Sequence, residues 1–300
     1  MKRLFIPALL FGVVILYFYL VISGVPKGEK GRISSVSGAY PDIFFDGRYF
    51  SVISSSPRPL TGKKILGAVV PHHLLAHGLI GEVLASLKEQ EPSLVVLVGP
   101  NHYNRGEPLM TSSRDWQTPF GVVETDQELV EQITGSSRVK INEEVVGGEH
   151  SVGNLMPFIK FYLPGARVFP LILHHDVSLA EVQSLARQIF LDLDEEAVLI
   201  ASIDFSHDLP SQEAAEKDRE TLQELKAGNL ARIFRMGSEY LDSPPSLGFL
   251  WAAMQQKGLE EFLLLENTNS GFLLGNDLIG TTSYITLVYC RSSEDDPISE

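Results

Sequence analysis

The feature that most constrains this chain is a set of four short apolar runs, each of which breaks off at a histidine. Ile65–Val70 leads into Pro71-His72-His73, and Leu94–Val98 into Gly99-Pro100-Asn101-His102. Val168–Leu173 leads into His174-His175, and Ala197–Ile203 into Asp204-Phe205-Ser206-His207. Unbroken runs of Val, Ile and Leu are how strands buried on both faces of a parallel sheet read. Helical patterns fill the intervals. Leu74–Leu87 carries apolar residues at helical spacing, and Ser178-x-x-Glu181 is a capping box that opens Leu179–Leu191. Ser211–Ala227 is charged and stops at Gly228, Phe249–Gln256 is a further helix, and Ser283–Tyr289 is a last strand. Alternating strands and helices predict a single α/β domain with a central, largely parallel sheet flanked by helices. The domain is expected over residues 65–290, with an acidic tail at 291–300.

In open α/β sheets the ligand crevice lies beyond the carboxyl ends of the strands, so histidines far apart in sequence would meet there. All eight histidines fall between His72 and His207. For any one of them the alternative is a surface or hydrogen-bonded loop residue. Several at equivalent strand ends point to a shared site, and imidazole is the commonest transition-metal ligand. Glu149-His150, after Gly147-Gly148, pairs a carboxylate with an imidazole whose tautomer it could hold. Asp204 and His207 leave a buried strand, which suits His207 to general acid–base work. The alternative for that pair is a capping Asp beside a solvated His.

The N-terminal region is of a different kind. Met1-Lys2-Arg3 precedes an uncharged apolar run, Leu4–Ile22. At 1.5 Å per residue this run spans roughly 30 Å, the hydrocarbon thickness of a bilayer. The expectation is an uncleaved single-pass anchor over residues 1–24, with the domain outside the cytoplasm. A cleaved signal peptide and a buried core helix are the alternatives. Residues 25–64 read as a linker with a short strand at Ile43–Phe50.

Other function classes drop out. A net charge of -14 argues against nucleic acid, because phosphate contacts need clustered Lys and Arg. The single cysteine, Cys290, rules out an intrachain disulfide and a Cys-rich zinc site. There is no Gly-x-Ser-x-Gly elbow, P-loop or Gly-x-Gly-x-x-Gly.

Five segments in order resemble the Memo family, whose bacterial and archaeal members are called AmmeMemoRadiSam system protein B. They are Gly67-Ala68-Val69-Val70-Pro71-His72, Gly99-Pro100-Asn101-His102, Trp116-Gln117-Thr118-Pro119-Phe120-Gly121, Glu149-His150-Ser151 and Asp204-Phe205-Ser206-His207. The resemblance runs from about Gly67 to Tyr289. It implies a fold like that of class III extradiol dioxygenases, which hold non-haem iron on two histidines and a carboxylate. Memo proteins use two histidines and a cysteine. Carried onto this chain, the histidine ligands are His72 and His102, the acid–base pair is His207 with Asp204, and Glu149 and His150 line the cleft. At the cysteine position stands Asp242, within Leu241-Asp242-Ser243-Pro244-Pro245-Ser246-Leu247-Gly248. A carboxylate there restores a triad suited to Fe(II), with copper as the softer alternative. The alternative for Asp242 is a loop residue that leaves two ligands or none, in which case His73 or His174 could substitute. The implied function is a dioxygenase-type enzyme acting on a small molecule. Its competitors are a non-catalytic metal-binding or protein-interaction module at the membrane, and a metal-assisted hydrolase.

Overall fold

A computed structural model describes residues 38–50, 60, 63–190, 193, 196–276 and 280–292. The strands are β1 (Lys63–Val70), β2 (Leu94–Pro100), β3 (Leu109–Thr111), β4 (Trp116–Thr118), β5 (Gly121–Val123), β6 (Lys140–Ile141), β7 (Arg167–Leu173), β8 (Ala197–Ser202), β9 (Phe205–Leu209), β10 (Leu263–Asn269) and β11 (Thr281–Ser292). The helices are α1 (His77–Leu87), α2 (Gln127–Ser136), α3 (Glu143–Gly147), α4 (His150–Gly153), α5 (Met156–Tyr162), α6 (Leu179–Phe190), α7 (Ser211–Lys226), α8 (Leu230–Ile233), α9 (Pro244–Gln256) and α10 (Ser270–Leu274).

The four histidine-ended runs form the middle of one sheet, in the order β1-β8-β2-β7, and every neighbouring pair is parallel. Alternation along each strand feeds two cores. Val96, Val98, Leu199 and Ala201 pack with α6 and α9, whereas Val95, Leu97, Val198 and Ile200 pack with α1 and α5. The result is a single α/β domain with helices on both faces of the sheet.

The expectation of a largely parallel sheet needs correction, because the sheet is mixed. β11 runs antiparallel to β1, β10 and β9 run antiparallel to β11, and β3 runs antiparallel to β7. Among its described residues the stretch from Asn269 to Thr281 holds only the short α10, and a parallel connection needs a crossover of about a dozen residues or more. Ser178 and Glu181 do form the capping box: the Glu181 N–H donates to Ser178 Oγ at 3.3 Å, and the Ser178 N–H to Glu181 Oε2 at 3.1 Å. Over Ile43–Phe50 the backbone makes a 3₁₀ turn at Gly47–Tyr49 instead of a strand, capped by Asp46. Arg291 and Ser292 extend β11, and the rest of the acidic tail lies outside the described residues.

The expected membrane placement is also corrected. Among the described residues no helix is long and apolar enough to cross a membrane. Leu4–Ile22 lies outside the described residues. A single-pass anchor with an extracytoplasmic domain is therefore unsupported.

One buried acid gives the fold a pH signature. Asp218 on α7 accepts from Ser206 Oγ at 2.5 Å beneath β9. Burial raises its pKa from 3.8 to about 6, against the lowering effect of that hydroxyl. The folded state thus holds this proton more tightly than the unfolded state. Its contribution to stability is complete below about pH 4, falls as pH rises towards 6, and is level above that. A shift of this size corresponds to about 3 kcal/mol. Asp218→Asn should remove the dependence. Its advantage over wild type in urea denaturation should grow by about 2 kcal/mol between pH 4 and pH 6.5. An advantage that is the same at both pH values would show that Asp218 is not held in this way.

Candidate metal centre

The strand register builds the site. Val70 pairs with Ser202 across β1 and β8, so two residues further on His72 and Asp204 emerge side by side. The His72 N–H donates to Asp204 Oδ1 at 3.1 Å, and the Ile203 N–H to the Val70 carbonyl at 2.9 Å. β2 lies on the other side of β8 and delivers His102 two residues after Pro100. Asp242 arrives from the segment before α9. Its N–H donates to the Asp204 carbonyl at 3.1 Å, while its Oδ2 accepts from the Asp204 N–H at 3.2 Å. Ser243 then caps α9 through the Ser246 N–H. Glu149 sits at the N-cap of α4, which carries His150.

These side chains converge. Asp242 Oδ2 lies 3.3 Å from His72 Nε2 and 3.7 Å from His102 Nε2. The His72 and His102 rings meet edge to face at 5.0 Å, and His150 stacks on His102 at 4.1 Å. One nitrogen each from His72, His102 and His150 lies within 4.8 Å of the others.

Hydrogen bonding assigns the tautomers. His72 Nδ1 is 3.1 Å from Ser202 Oγ, and that hydroxyl donates its one proton to the Ser151 carbonyl at 2.5 Å. Ser202 must therefore accept from His72, which puts the ring proton on Nδ1 and the lone pair on Nε2. Glu149 Oε1 accepts from His102 Nδ1 at 2.8 Å and lies 3.2 Å from His150 Nδ1. Burial pushes the Glu149 carboxyl up, but hydrogen bonds from His102, His150 and the Ser151 N–H outweigh it and hold the group well below the usual carboxylate range. An ionised carboxylate only accepts, so in the neutral imidazoles it fixes Nδ1–H on both rings and leaves Nε2 free. This is the arrangement by which carboxylates orient metal-binding histidines.

Burial keeps His72 neutral. It lowers the imidazole to about 4, with the Asp204 charge opposing it in part. The Asp242 carboxyl is held well above its ordinary value by burial and then by the Asp204 charge. Its Oδ1 is buried with no hydrogen-bond partner among the described residues. A buried, unpartnered oxygen is costly unless something supplies positive charge to it. Two ligands of one divalent ion, each about 2.1 Å from it, sit roughly 3–3.5 Å apart. The separation of Asp242 Oδ2 from His72 Nε2 falls in that range, and its separation from His102 Nε2 lies just beyond it. The donor set therefore fits a divalent metal.

The structure brings together His72, His102, Glu149, His150, Asp204 and Asp242. His207 makes no hydrogen bond, ion pair or ring contact with these residues. That residue lies on β9, opposite Thr282, with Nδ1 directed to the Ser238 carbonyl at 3.3 Å. His73 caps the Leu75 N–H and contacts Tyr284, and His174 Nε2 meets the Arg105 carbonyl. Neither touches the cluster. Cys290 pairs with Ile65 across β11 and β1. Sequence reasoning did not single out Ser202 or Asn154, whose amide donates to the His72 carbonyl at 2.9 Å. Nothing in their local sequence marks them, since both act through register and packing.

Comparison with known proteins agrees with this frame. The family model described as "Memo-like protein" matches residues 49–277. A MEMO1 family protein of Pyrobaculum aerophilum is 31% identical over 246 residues, covering 78% of this chain and 86% of the relative. One from Methanosarcina barkeri is 30% identical, covering 75% of this chain and 87% of the relative. The crystal structure of an uncharacterized protein from Escherichia coli K12 shares the fold, with a TM-score of 0.54 at 17% identity, over 75% of this chain and 99% of that one. On the extent of the family match and the identity of these relatives, this chain belongs to the Memo family.

Proposed function

We propose that the protein holds a divalent transition metal on Nε2 of His72, Nε2 of His102 and a carboxylate oxygen of Asp242, and uses it in dioxygenase-type chemistry on a small molecule. The observation that carries this reading is the matched set of tautomers: Nδ1 of both ligand rings is occupied by Ser202 or Glu149, which leaves both Nε2 lone pairs free beside Asp242 Oδ2. Two histidines and one carboxylate with open positions are the donor set of non-haem Fe(II), which when bound supplies a Lewis acid that accepts a chelating substrate and O₂. A hard carboxylate in place of the family's thiolate disfavours Cu(I).

The remaining groups would serve substrate. His150 has a side chain 39% exposed, stacks on His102 and shares Glu149 with it, so it can take up or deliver a proton at the open side of the site. His207 would reach the same place only by leaving the Ser238 carbonyl. Asp204 is held against both His72 and Asp242 and fixes their relative position.

The proximity of His150 also supports a second reading. If its Nε2 completes the shell, three imidazoles and a carboxylate close a tetrahedral site, and the protein is a non-catalytic metal-binding module. His150→Ala separates the two. Purified protein loaded anaerobically with Fe(II) should consume oxygen in the presence of catechols. The variant should keep its iron while turnover falls by about 10²–10⁴-fold. Loss of iron from the variant, with no oxygen uptake by wild type, would favour the closed site.

A further inference from the structure

The stretch that reads as a linker contains residues that grip the metal centre's support from behind. Tyr40 is threaded into the domain: its N–H donates to the Asp115 carbonyl at 2.7 Å, and its own carbonyl accepts from the Gln117 N–H at 2.9 Å. Its ring lies against the backbone of Gly147, where an added Cβ would stand 2.2 Å from Tyr40 Cε1. The Tyr40 hydroxyl donates to Glu143, whose carbonyl is 2.7 Å away and whose carboxylate it also contacts. Burial and then that carboxylate hold the phenol above its ordinary range, so it remains a donor. Glu143 in turn accepts from Ser112 Oγ at 2.6 Å and Ser113 Oγ at 2.7 Å, just beyond β3. Four residues after Tyr40, Phe44 lies against Gly153, where a Cβ would stand 2.2 Å from Phe44 Cδ2.

Gly147 and Gly153 bracket the turn that carries Glu149 and His150. Only hydrogen fits at either position, so two aromatic rings seat directly on the backbone at both ends of that turn. Between them Glu149 must reach His102 Nδ1, the His102 N–H and the Ser151 N–H together, at 2.8, 3.0 and 3.1 Å. Hydrogen bonds of this length fail on a displacement of about 1 Å. Tyr40 and Phe44 precede residues 49–277, the part of the chain matched to the family.

We propose that Tyr40 and Phe44 are positioning residues for the metal centre, clasping the Gly147–Gly153 turn so that the Glu149 carboxylate holds the His102 and His150 imidazoles with Nε2 facing the metal. They touch none of the ligands and act through the turn. The inference rests on the metal-centre reading, and its test is chosen to separate the two.

The readout is long-range ¹H–¹⁵N correlation of the imidazole nitrogens in metal-free protein, joined to Co(II) affinity. Wild type should show one tautomer, Nδ1–H, at both His102 and His150. Phe44→Ala and Gly153→Ala should each give mixed tautomers and bind Co(II) about 10–100-fold more weakly, the usual cost of losing an outer-shell partner. The double variant should be no worse than the worse single, because the new methyl enters space the ring has left. Tyr40→Phe keeps the ring on Gly147 and removes only the hydroxyl, so it should fold and shift the same signals less. Phe50→Ala is the control. That ring packs 4.3 Å from Phe158, while the atoms nearest the two glycines belong to Tyr40 and Phe44, so stability should fall while the imidazole signals stay in place. Folded Phe44→Ala and Gly153→Ala proteins with wild-type imidazole signals would overturn the proposal. So would Phe50→Ala moving those signals equally, since the effect would then be general loosening. Tautomers that respond as expected in a wild-type protein that takes up no Co(II) would uphold the clasp and sink the metal reading.

Discussion

Asp242→Ala protein should bind Fe(II) more than about 100-fold more weakly than wild type, beyond the range expected for losing an outer-shell partner. Asp242 is the group whose loss changes the site most. Its Oδ2 approaches Nε2 of both ligand imidazoles, at 3.3 and 3.7 Å, and its Oδ1 has no hydrogen-bond partner among the described residues. Removing it takes away one of three donors and the charge that balances a divalent ion. His72→Ala should do the same, whereas His73→Ala and His174→Ala should bind as wild type, because their nitrogens are engaged elsewhere. Asp242→Cys is a useful companion. It restores the family's thiolate, and it should move preference from Fe(II) or Mn(II) towards Zn(II) and Cu(I). Anaerobic titration of each purified variant reads all of this. Wild-type affinity in Asp242→Ala, with loss of binding in His150→Ala, would reassign the third ligand to His150.

Glu149→Ala should cost the protein twice. Glu149 accepts from His102 Nδ1, the His102 N–H and the Ser151 N–H, and pairs with His150. Truncation leaves several donors unsatisfied, and a buried unsatisfied donor costs about 1–3 kcal/mol. The metal-free variant should thus be less stable by at least about 2 kcal/mol in urea denaturation. Two imidazoles lose their orientation at once, so metal affinity should fall by 100-fold or more, at the upper end of what one such partner usually costs. Glu149→Gln offers one acceptor oxygen where two are used, and should fall between wild type and Ala in both measurements. A Glu149→Ala protein as stable as wild type would mean that the carboxylate is not the hub the geometry makes it.

How much of this could be read from the sequence depended on the range of the forces involved. The central strands were legible because burial on both faces leaves unbroken Val, Ile and Leu, and the histidines at their ends stood out for the same reason. The parallel register then carried His72, His102 and Asp204 to one edge. The expectation for Asp242 rests on its position in the segment that resembles the family's ligand loop, since no local pattern marks a lone Asp before Ser243-Pro244. The antiparallel part of the sheet was not legible: β10 shows little alternation, with Leu263 and Leu264 both exposed on an edge strand. His150 was read as lining the cleft, because a Glu-His dipeptide says nothing about which nitrogen is free. Ser202 escaped notice because its role depends on a hydroxyl proton committed to a carbonyl fifty-one residues away. Tyr40 and Phe44 were hidden in a Gly-, Ser- and Pro-rich stretch whose composition reads as a linker. Their partners, Gly147 and Gly153, are ordinary glycines until rings are placed on them.

The central claim is that Nε2 of His72, Nε2 of His102 and a carboxylate oxygen of Asp242 hold one metal ion. Anomalous diffraction at the iron edge, from crystals grown anaerobically with Fe(II), tests it most directly. The expected result is a single peak about 2.0–2.3 Å from those three atoms, with Nδ1 of His72 still on Ser202 and Nδ1 of His102 still on Glu149. A peak bound through either Nδ1, a peak that omits Asp242, or no peak within the cluster would contradict it.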